Sequence, residues 1–360
     1  MDTRAVDVPT ALSLMETSHL FRETVLPLVT SSVRLAAVKP MRSLIAHVDE
    51  QPSMAKQIRT IVQRPTEQAQ TSRSVLSVYL SLIFLQCFDA EQLSTLKLNP
   101  VDDPDHGPFR DMPRNLTELD AAGVESVPNV LATSQDFARL DSLRTLRWSG
   151  EREFTVTAHW PKKLRDKRLK APSKVMPALR ELDIGSCHDT FFSAMEELEL
   201  PSLETLKIHQ MVKEFYSGKM LLKHGPKLHT LEIAHGWKPV YLTLCPRLQV
   251  LVLHTTPPSG EQYLLPDKEA HPILSEIRLH WYPSHNPNSS VCVDFERLVE
   301  FLAHRKKKLF PQLATIRIMH ERLWPVKERD LESPWLRYAQ SLKQYGMHLL
   351  DGRGEQWKSA

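Results

Sequence analysis

Through the middle and C-terminal parts of the chain, the apolar residues recur in one short phrase. It reads proline, any residue, then L-x-x-L-x-L, with isoleucine allowed at the later places. The phrase opens at Pro177 with Leu179, Leu182 and Ile184, and returns at Pro201 with Leu203, Leu206 and Ile208. Pro226 leads Leu228, Leu231 and Ile233, and Pro246 leads Leu248, Leu251 and Leu253. Two more copies follow, Pro272 with Leu274, Ile277 and Leu279, and Pro311 with Leu313, Ile316 and Ile318. Looser copies lie upstream: Leu143, Leu146 and Trp148; Leu93, Leu96 and Leu98; Leu116 with Leu119; and, weakest, Ile58 with Ile61. The leading leucines are spaced from 20 residues (Leu228 to Leu248) to 39 (Leu274 to Leu313).

The last two apolar places of each phrase are two residues apart, so both side chains point to one face of a short strand. The proline ends the preceding segment and directs the chain into that strand. Each unit leaves an apolar edge that only a neighbouring unit can cover, so the units must stack. Periods of this length and pattern predict an α/β leucine-rich-repeat solenoid, with parallel strands on the concave side, helices on the convex side and a helical N-terminal cap. Helical spacing fills the gaps. Asp294 to Lys307 carries Phe295, Leu298, Val299, Phe301 and Leu302 on one side, with Asp294 as the expected N-cap. Met211 to Leu222 and Thr190 to Leu198 are shorter helices, and Arg329 to Tyr345 is a closing helix with Leu336, Ala339 and Leu342 inward. The N-terminal third predicts helices over Ala11 to Val29, Pro40 to Val48 and Glu67 to Phe88, then a loop over Asn99 to Arg114. The expected organisation is a helical segment over 1–50, the repeat array with its capping helix over 51–345, and a tail over 346–360.

Composition narrows the function. The 360 residues are 41% hydrophobic and 25% charged, ordinary values for a folded chain. Gly is scarce at 11 and Pro frequent at 26, which leaves little backbone for phosphate-cradling loops. A net charge of +3 is only mildly basic, whereas nucleic-acid binding usually needs a concentrated basic face; the one dense basic run, Arg305 to Lys308, reads first as a solvated helix end and otherwise as a nuclear-import or acidic-partner segment. The four cysteines (Cys87, Cys187, Cys245 and Cys292) form no paired metal knuckle, and no signal pattern opens the chain. These features predict reduced thiols in a cytoplasmic or nuclear protein. The most apolar stretch, Val75 to Phe88, is only 14 residues long and predicts a buried helix, not a membrane span. Asp102, Asp103, Asp105 and His106 gather acids near a histidine, but Pro104 breaks the spacing a calcium loop needs.

The phrase Cys245-Pro246-Arg247-Leu248-Gln249-Val250-Leu251-Val252-Leu253 resembles the CPxLxxLxL of fungal F-box/leucine-rich-repeat-like proteins. Phe295 to Ile318 is similar to that family's C-terminal helix and final strand. Leu12 to Leu35 resembles the second half of an F-box, and Pro52 to Ile61 the first repeat after it. The opening box helix, an LPxE-type phrase, does not occur before Ala11. The resemblance implies a substrate receptor of a cullin–RING ubiquitin ligase that meets a Skp-type adaptor through Leu14, Leu20, Phe21, Val25 and Leu26. With half the box missing, it implies weak adaptor binding. The alternative is an adaptor-independent scaffold, with an enzyme a distant third.

No phosphate-binding loop, dinucleotide fingerprint, H-E-x-x-H or G-x-S-x-G occurs, so neither catalytic residues nor a cofactor is implied. The x positions of the strands face the concave side and supply the expected partner site. They are Arg147, Glu181, Asp183, Lys207, Glu232, Val252, Glu276, Arg278 and Arg317, an alternation of charge with apolar Val252 as a dry centre. The residue after the last apolar place is His209, Ala234, His254, His280 and Met319 in successive copies. A histidine row there has three readings: tolerated strand ends, a pH-sensitive binding ridge, or a weak metal site. The expected partner is a protein, with no nucleic acid and no membrane.

Overall fold

The computed structural model describes residues 32–35, 60–63, 95–97, 116–122, 130–131, 140–150, 154–155, 175–187, 191–192, 195–196, 198–209, 214–234, 237–238, 240–254, 270–281, 289–320 and 334–356. The expected helices over Ala11 to Val29, Pro40 to Val48 and Glu67 to Phe88, the loop from Asn99 to Arg114, and the adaptor residues Leu14, Leu20, Phe21, Val25 and Leu26 lie outside them. The chain forms two compact units, Met1–Leu179 with Ser186–Pro201, and Arg180–Gly185 with Ser202–Ala360.

In the first unit, strands β1 (Ser32–Leu35), β2 (Thr60–Gln63), β3 (Thr95–Lys97), β4 (Glu118–Ala122) and β6 (Thr145–Gly150) pair in parallel, each with the next. Val33, Ile61, Leu96, Leu119 and Leu146 share one register row, so the loose upstream phrases are true repeats. β1 falls inside the segment expected to be a helical cap. A separate two-stranded sheet joins β5 (Val130–Leu131) to β7 (Phe154–Thr155). Trp148, at the leucine place of its phrase, is buried and stacks on Phe191 with ring centroids 5.2 Å apart.

The second unit carries the close copies. Its strands are β8 (Glu181–Cys187, up to Gly185), β9 (Thr205–Ile208), β10 (Thr230–Ile233), β11 (Val250–Leu253), β12 (Glu276–Leu279), β13 (Thr315–Ile318) and β14 (His348–Leu350). Each pairs in parallel with its successor. The register aligns Leu182, Leu206, Leu231, Leu251, Ile277, Ile316 and Leu349 in one row. All but Leu349 are fully buried, and Leu349 nearly so. Ile184, Ile208, Ile233, Leu253, Leu279 and Ile318 form a second buried row. This leucine-rich-repeat-like stacking follows from the alternation of the phrase, because a one-residue slip would turn every leucine to water.

The proline acts more specifically than as a helix stop. It occupies the second place of a β-turn closed by the phrase's first leucine: Leu228 N–H donates to the Gly225 carbonyl (3.0 Å), Leu248 to Cys245 (3.0 Å) and Leu313 to Phe310 (3.0 Å). That place needs φ near −65°, which proline sets in advance. One carbonyl then starts each ladder by accepting two N–H groups, as His229 does from Gln249 and Val250.

Among the described residues, helices α1 (Glu214–His224), α2 (Tyr241–Leu244) and α3 (Ser290–Leu309) lie between strands of the second unit. Helix α4 (Pro334–Gln344) precedes β14. Among the described residues, no helix is long and apolar enough to cross a membrane. The N-cap of α3 is Ser289, not Asp294. The Ser289 hydroxyl accepts from the Cys292 N–H at 3.3 Å, and the helix begins a turn earlier so that Cys292 joins Phe295 in the core. Asp294 instead sits within the helix beside Arg297 at 3.6 Å. Lys306, Lys307 and Lys308 fill its last turn, where cations suit the helix dipole. The segment read as a tail contributes β14, and Asp351 then accepts from the backbone N–H groups of Arg353 (3.0 Å) and Glu355 (2.8 Å) in the turn that follows.

Two glycines, one within α1 and one just past its end, give opposite expectations. Gly218 within α1 has nothing within 4 Å of where a Cβ would stand. A Cβ on Gly225 would collide with the Leu244 carbonyl oxygen and meet Cys245 Sγ at 3.1 Å. Gly218→Ala is expected to stabilise the fold by about 0.5–1 kcal/mol, since helical glycine carries an entropic cost. Gly225→Ala is expected to destabilise it by about 1–3 kcal/mol, because backbone must shift. Chemical denaturation of the two variants checks the signs.

Candidate functional site

Across β8 to β13 the strand positions between the buried rows are partly exposed except Val252, and five of them are charged: Asp183, Lys207, Glu232, Arg278 and Arg317. In register, Asp183, Lys207, Glu232, Val252, Arg278 and Arg317 form one row across β8 to β13. The backbone ladder runs one residue further. The N–H of His209 donates to Ile184 O (2.8 Å), that of His254 to Ile233 O (3.3 Å) and that of His280 to Leu253 O (2.8 Å). The three imidazoles are therefore mounted on fixed backbone beside that row.

The charges pair diagonally, not straight across. Lys207 lies between Asp183 and Glu232 in register, yet its Nζ reaches Glu181 Oε1 at 2.8 Å. This frees Asp183 for His209, whose Nε2 lies 3.0 Å from Asp183 Oδ1, while His209 Nδ1 stands 3.9 Å from Glu232 Oε1. The same Glu232 oxygen lies 2.6 Å from His254 Nε2. One carboxylate thus faces two histidines, and the reactive atoms of His209, Glu232 and His254 all lie within 4.8 Å of one another. Ala234, between the two histidines on the intervening strand, is small enough for their rings to approach edge to face at 5.5 Å. His254 also stacks on His280, with centroids 3.9 Å apart and planes 17° from parallel.

Electrostatics follow this geometry. The hydrogen bond that the His209 ring N–H donates to the Asp183 carboxylate holds this imidazole above its usual value of 6.5 against the opposing effect of burial. Burial pushes the Glu232 carboxyl up, but the His254 hydrogen bond and the neighbouring His209 bring it below its ordinary value. Burial and the nearby His254 push His280 down.

Further along the row, Arg278 makes a two-pronged contact with Glu276 (3.0 and 3.1 Å). Arg317 Nε lies 3.1 Å from the same carboxylate without a hydrogen bond, so that contact is one of charge alone. Two like charges that are register neighbours are thereby tied to one acid. Val252 differs from its expected role as an exposed apolar centre: it is only 3% exposed, with the longer Glu232 and Arg278 flanking it in register, and offers a partner almost no surface. Arg147 stands in the first unit, 3.3 Å from Glu118 and 4.0 Å from Asp120. Those two acids occupy the x positions of the Leu116 phrase and were legible by the same rule that selected Arg147.

Cys187, Cys245 and Cys292 are buried. Burial pushes the Cys245 thiol up to about 12, so it stays protonated at neutral pH. His271 is buried with Nε2 on the Cys245 carbonyl at 2.8 Å, a structural role within its turn.

No protein-family model and no curated protein matches the chain. Among solved structures it is similar to an internalin from Listeria monocytogenes, 11% identical with a TM-score of 0.33, over 84% of this chain and 78% of that one. At that score the two share a general likeness only.

Proposed function

We propose that the exposed strand face of the second unit is a protein-binding surface that works by matching charge, with no covalent chemistry. The carrying observation is the row Asp183, Lys207, Glu232, Arg278 and Arg317, set in register on partly exposed strand positions. Cross-strand pairs of this kind contribute only about 0.2–1 kcal/mol each, so stability does not account for so ordered a strip. Glu181, Glu276 and the histidines His209, His254 and His280 border it. Arg147, with Glu118 and Asp120, supplies a smaller charged group on the first unit.

The finer reading is a substrate receptor of a cullin–RING ubiquitin ligase. It rests on the resemblance of Leu12 to Leu35 to the second half of an F-box, with Leu14, Leu20, Phe21, Val25 and Leu26 as the adaptor contact. The other reading is a scaffold that binds partners without the adaptor. Both use the same strand face, so one experiment addresses both. The wild-type chain and a Lys207→Glu/Arg278→Glu variant are used to capture partners, with folding checked by circular dichroism. The double reversal is expected to remove the main partner, because like charges placed against a complementary surface repel it. A partner list unchanged by the reversal, in a folded variant, moves the binding surface elsewhere. A Skp-type adaptor recovered with both chains favours the receptor, and its absence from both favours the scaffold.

A further inference from the structure

We propose that His209, Glu232 and His254 form a binding site for a divalent transition-metal ion of the zinc class, with Asp183 as the residue that positions His209. The proposal does not depend on a protein partner at the strand face.

The donors sit on three successive strands, at the ends of β9 and β11 and within β10, and their ligand atoms already converge within 4.8 Å. A tetrahedral site with bonds of about 2.0–2.2 Å separates neighbouring donors by roughly 3.3–3.5 Å. The Glu232 to His254 distance of 2.6 Å must open, and the Glu232 to His209 distance of 3.9 Å must close, each by less than an ångström. The change required is rotation of the side chains, which must also bring the ligand atoms of His209 and His254, now within 4.8 Å of each other, to the same spacing. The backbone at His209 and His254 is pinned by ladder hydrogen bonds and stays where it is.

The orientation of His209 is the second observation. Its two ring nitrogens have different partners: Nε2 faces Asp183 Oδ1 at 3.0 Å, and Nδ1 faces the Glu232 oxygen. A metal-binding histidine characteristically donates its remote N–H to a carboxylate, which fixes the tautomer and turns the other lone pair toward the ion. Asp183 stands in that position. His280, stacked on His254, restricts rotation of the second imidazole. Two imidazoles and one carboxylate suit zinc, copper or nickel, and not calcium or magnesium, which favour oxygen donors. Three protein donors leave a fourth position for water or for a donor from another molecule.

The test is calorimetric titration of the chelator-treated full chain with zinc chloride, beside absorption spectra with cobalt(II). Wild type is expected to take up one ion at this site and to give the visible bands of tetrahedral cobalt. His254→Ala and Glu232→Gln are expected to abolish that event, and Asp183→Asn to weaken it by about 10–100-fold while preserving stoichiometry. All four side chains are partly exposed, so the variants are expected to fold, and circular dichroism verifies it. Zinc binding that persists unchanged in His254→Ala places the ion on other histidines and overturns the assignment. So does an undetectable titration with wild type, which would leave Glu232 as a shared acceptor in an ordinary ion-pair ridge.

Discussion

Leu251→Ala is expected to destabilise the protein by about 2–5 kcal/mol, the range for removing a fully buried leucine and leaving a cavity. Leu251 is completely buried on the strand between Leu231 and Ile277, its register partners on β10 and β12. The strands on both sides are held by parallel ladders, so the walls of the cavity cannot easily collapse. Stacked repeats draw stability from nearest neighbours alone, which makes a defect in a central strand damage two interfaces at once. Urea unfolding is the measurement. The denaturant dependence is expected to shallow as the two sides of the array lose cooperativity. Thr230→Ala, at a partly exposed position on the neighbouring strand, is the control and is expected to stay within about 0.5 kcal/mol of wild type. A Leu251→Ala loss no larger than the control's would contradict the buried row.

The ladder was legible because its signal is periodic and redundant. Leu206, Leu231, Leu251 and Ile277 each follow a turn-setting segment at a fixed offset, and only stacked strands satisfy all of them together. β14 was missed because Met347 and Leu349 have no proline or leading leucine before them, and the segment follows a helix directly. The N-cap of α3 was misplaced for a related reason. Asp294 stands next to the first strong apolar run, whereas the burial of Cys292, which extends the helix back to Ser289, is a tertiary fact. At the candidate site the sequence placed His209, His254 and His280 at strand ends, but not their partners. Which acid Lys207 reaches depends on the length of its side chain, and whether His209 and His254 meet depends on Ala234 standing between them. Strand register brings such groups to the same few ångströms, and rotamers decide the contacts. The adaptor residues Leu14, Leu20, Phe21, Val25 and Leu26 remain an implication of the resemblance.

Trp335→Ala is expected to cost about 3–5 kcal/mol, as large as any single truncation in the array. Trp335 is fully buried on α4, where it meets Phe295 at 5.0 Å and Tyr338 at 5.7 Å. Phe295 in turn meets Tyr338 at 5.2 Å and Trp281 at 6.2 Å, so one aromatic cluster links α4, α3 and the end of β12. The Tyr338 hydroxyl donates to the Cys292 carbonyl at 3.1 Å and fastens α4 to the first turn of α3. A repeat array needs such a lid, because its last strand otherwise presents an uncovered apolar edge. The same helices also share an exposed ion pair, Arg337 with Glu296 at 2.9 Å. Exposed pairs are worth about 0–1 kcal/mol, so Arg337→Ala is expected to be nearly silent while Trp335→Ala is not. Hydrogen exchange locates the effect: in Trp335→Ala, the amides of His348 to Leu350 are expected to lose protection before those of β10 and β11. Equal losses in the two variants would mean that charge, not aromatic packing, holds the lid. Uniform loss of protection across all strands would mean that α4 and β14 unfold together with the array and do not form a separate cap.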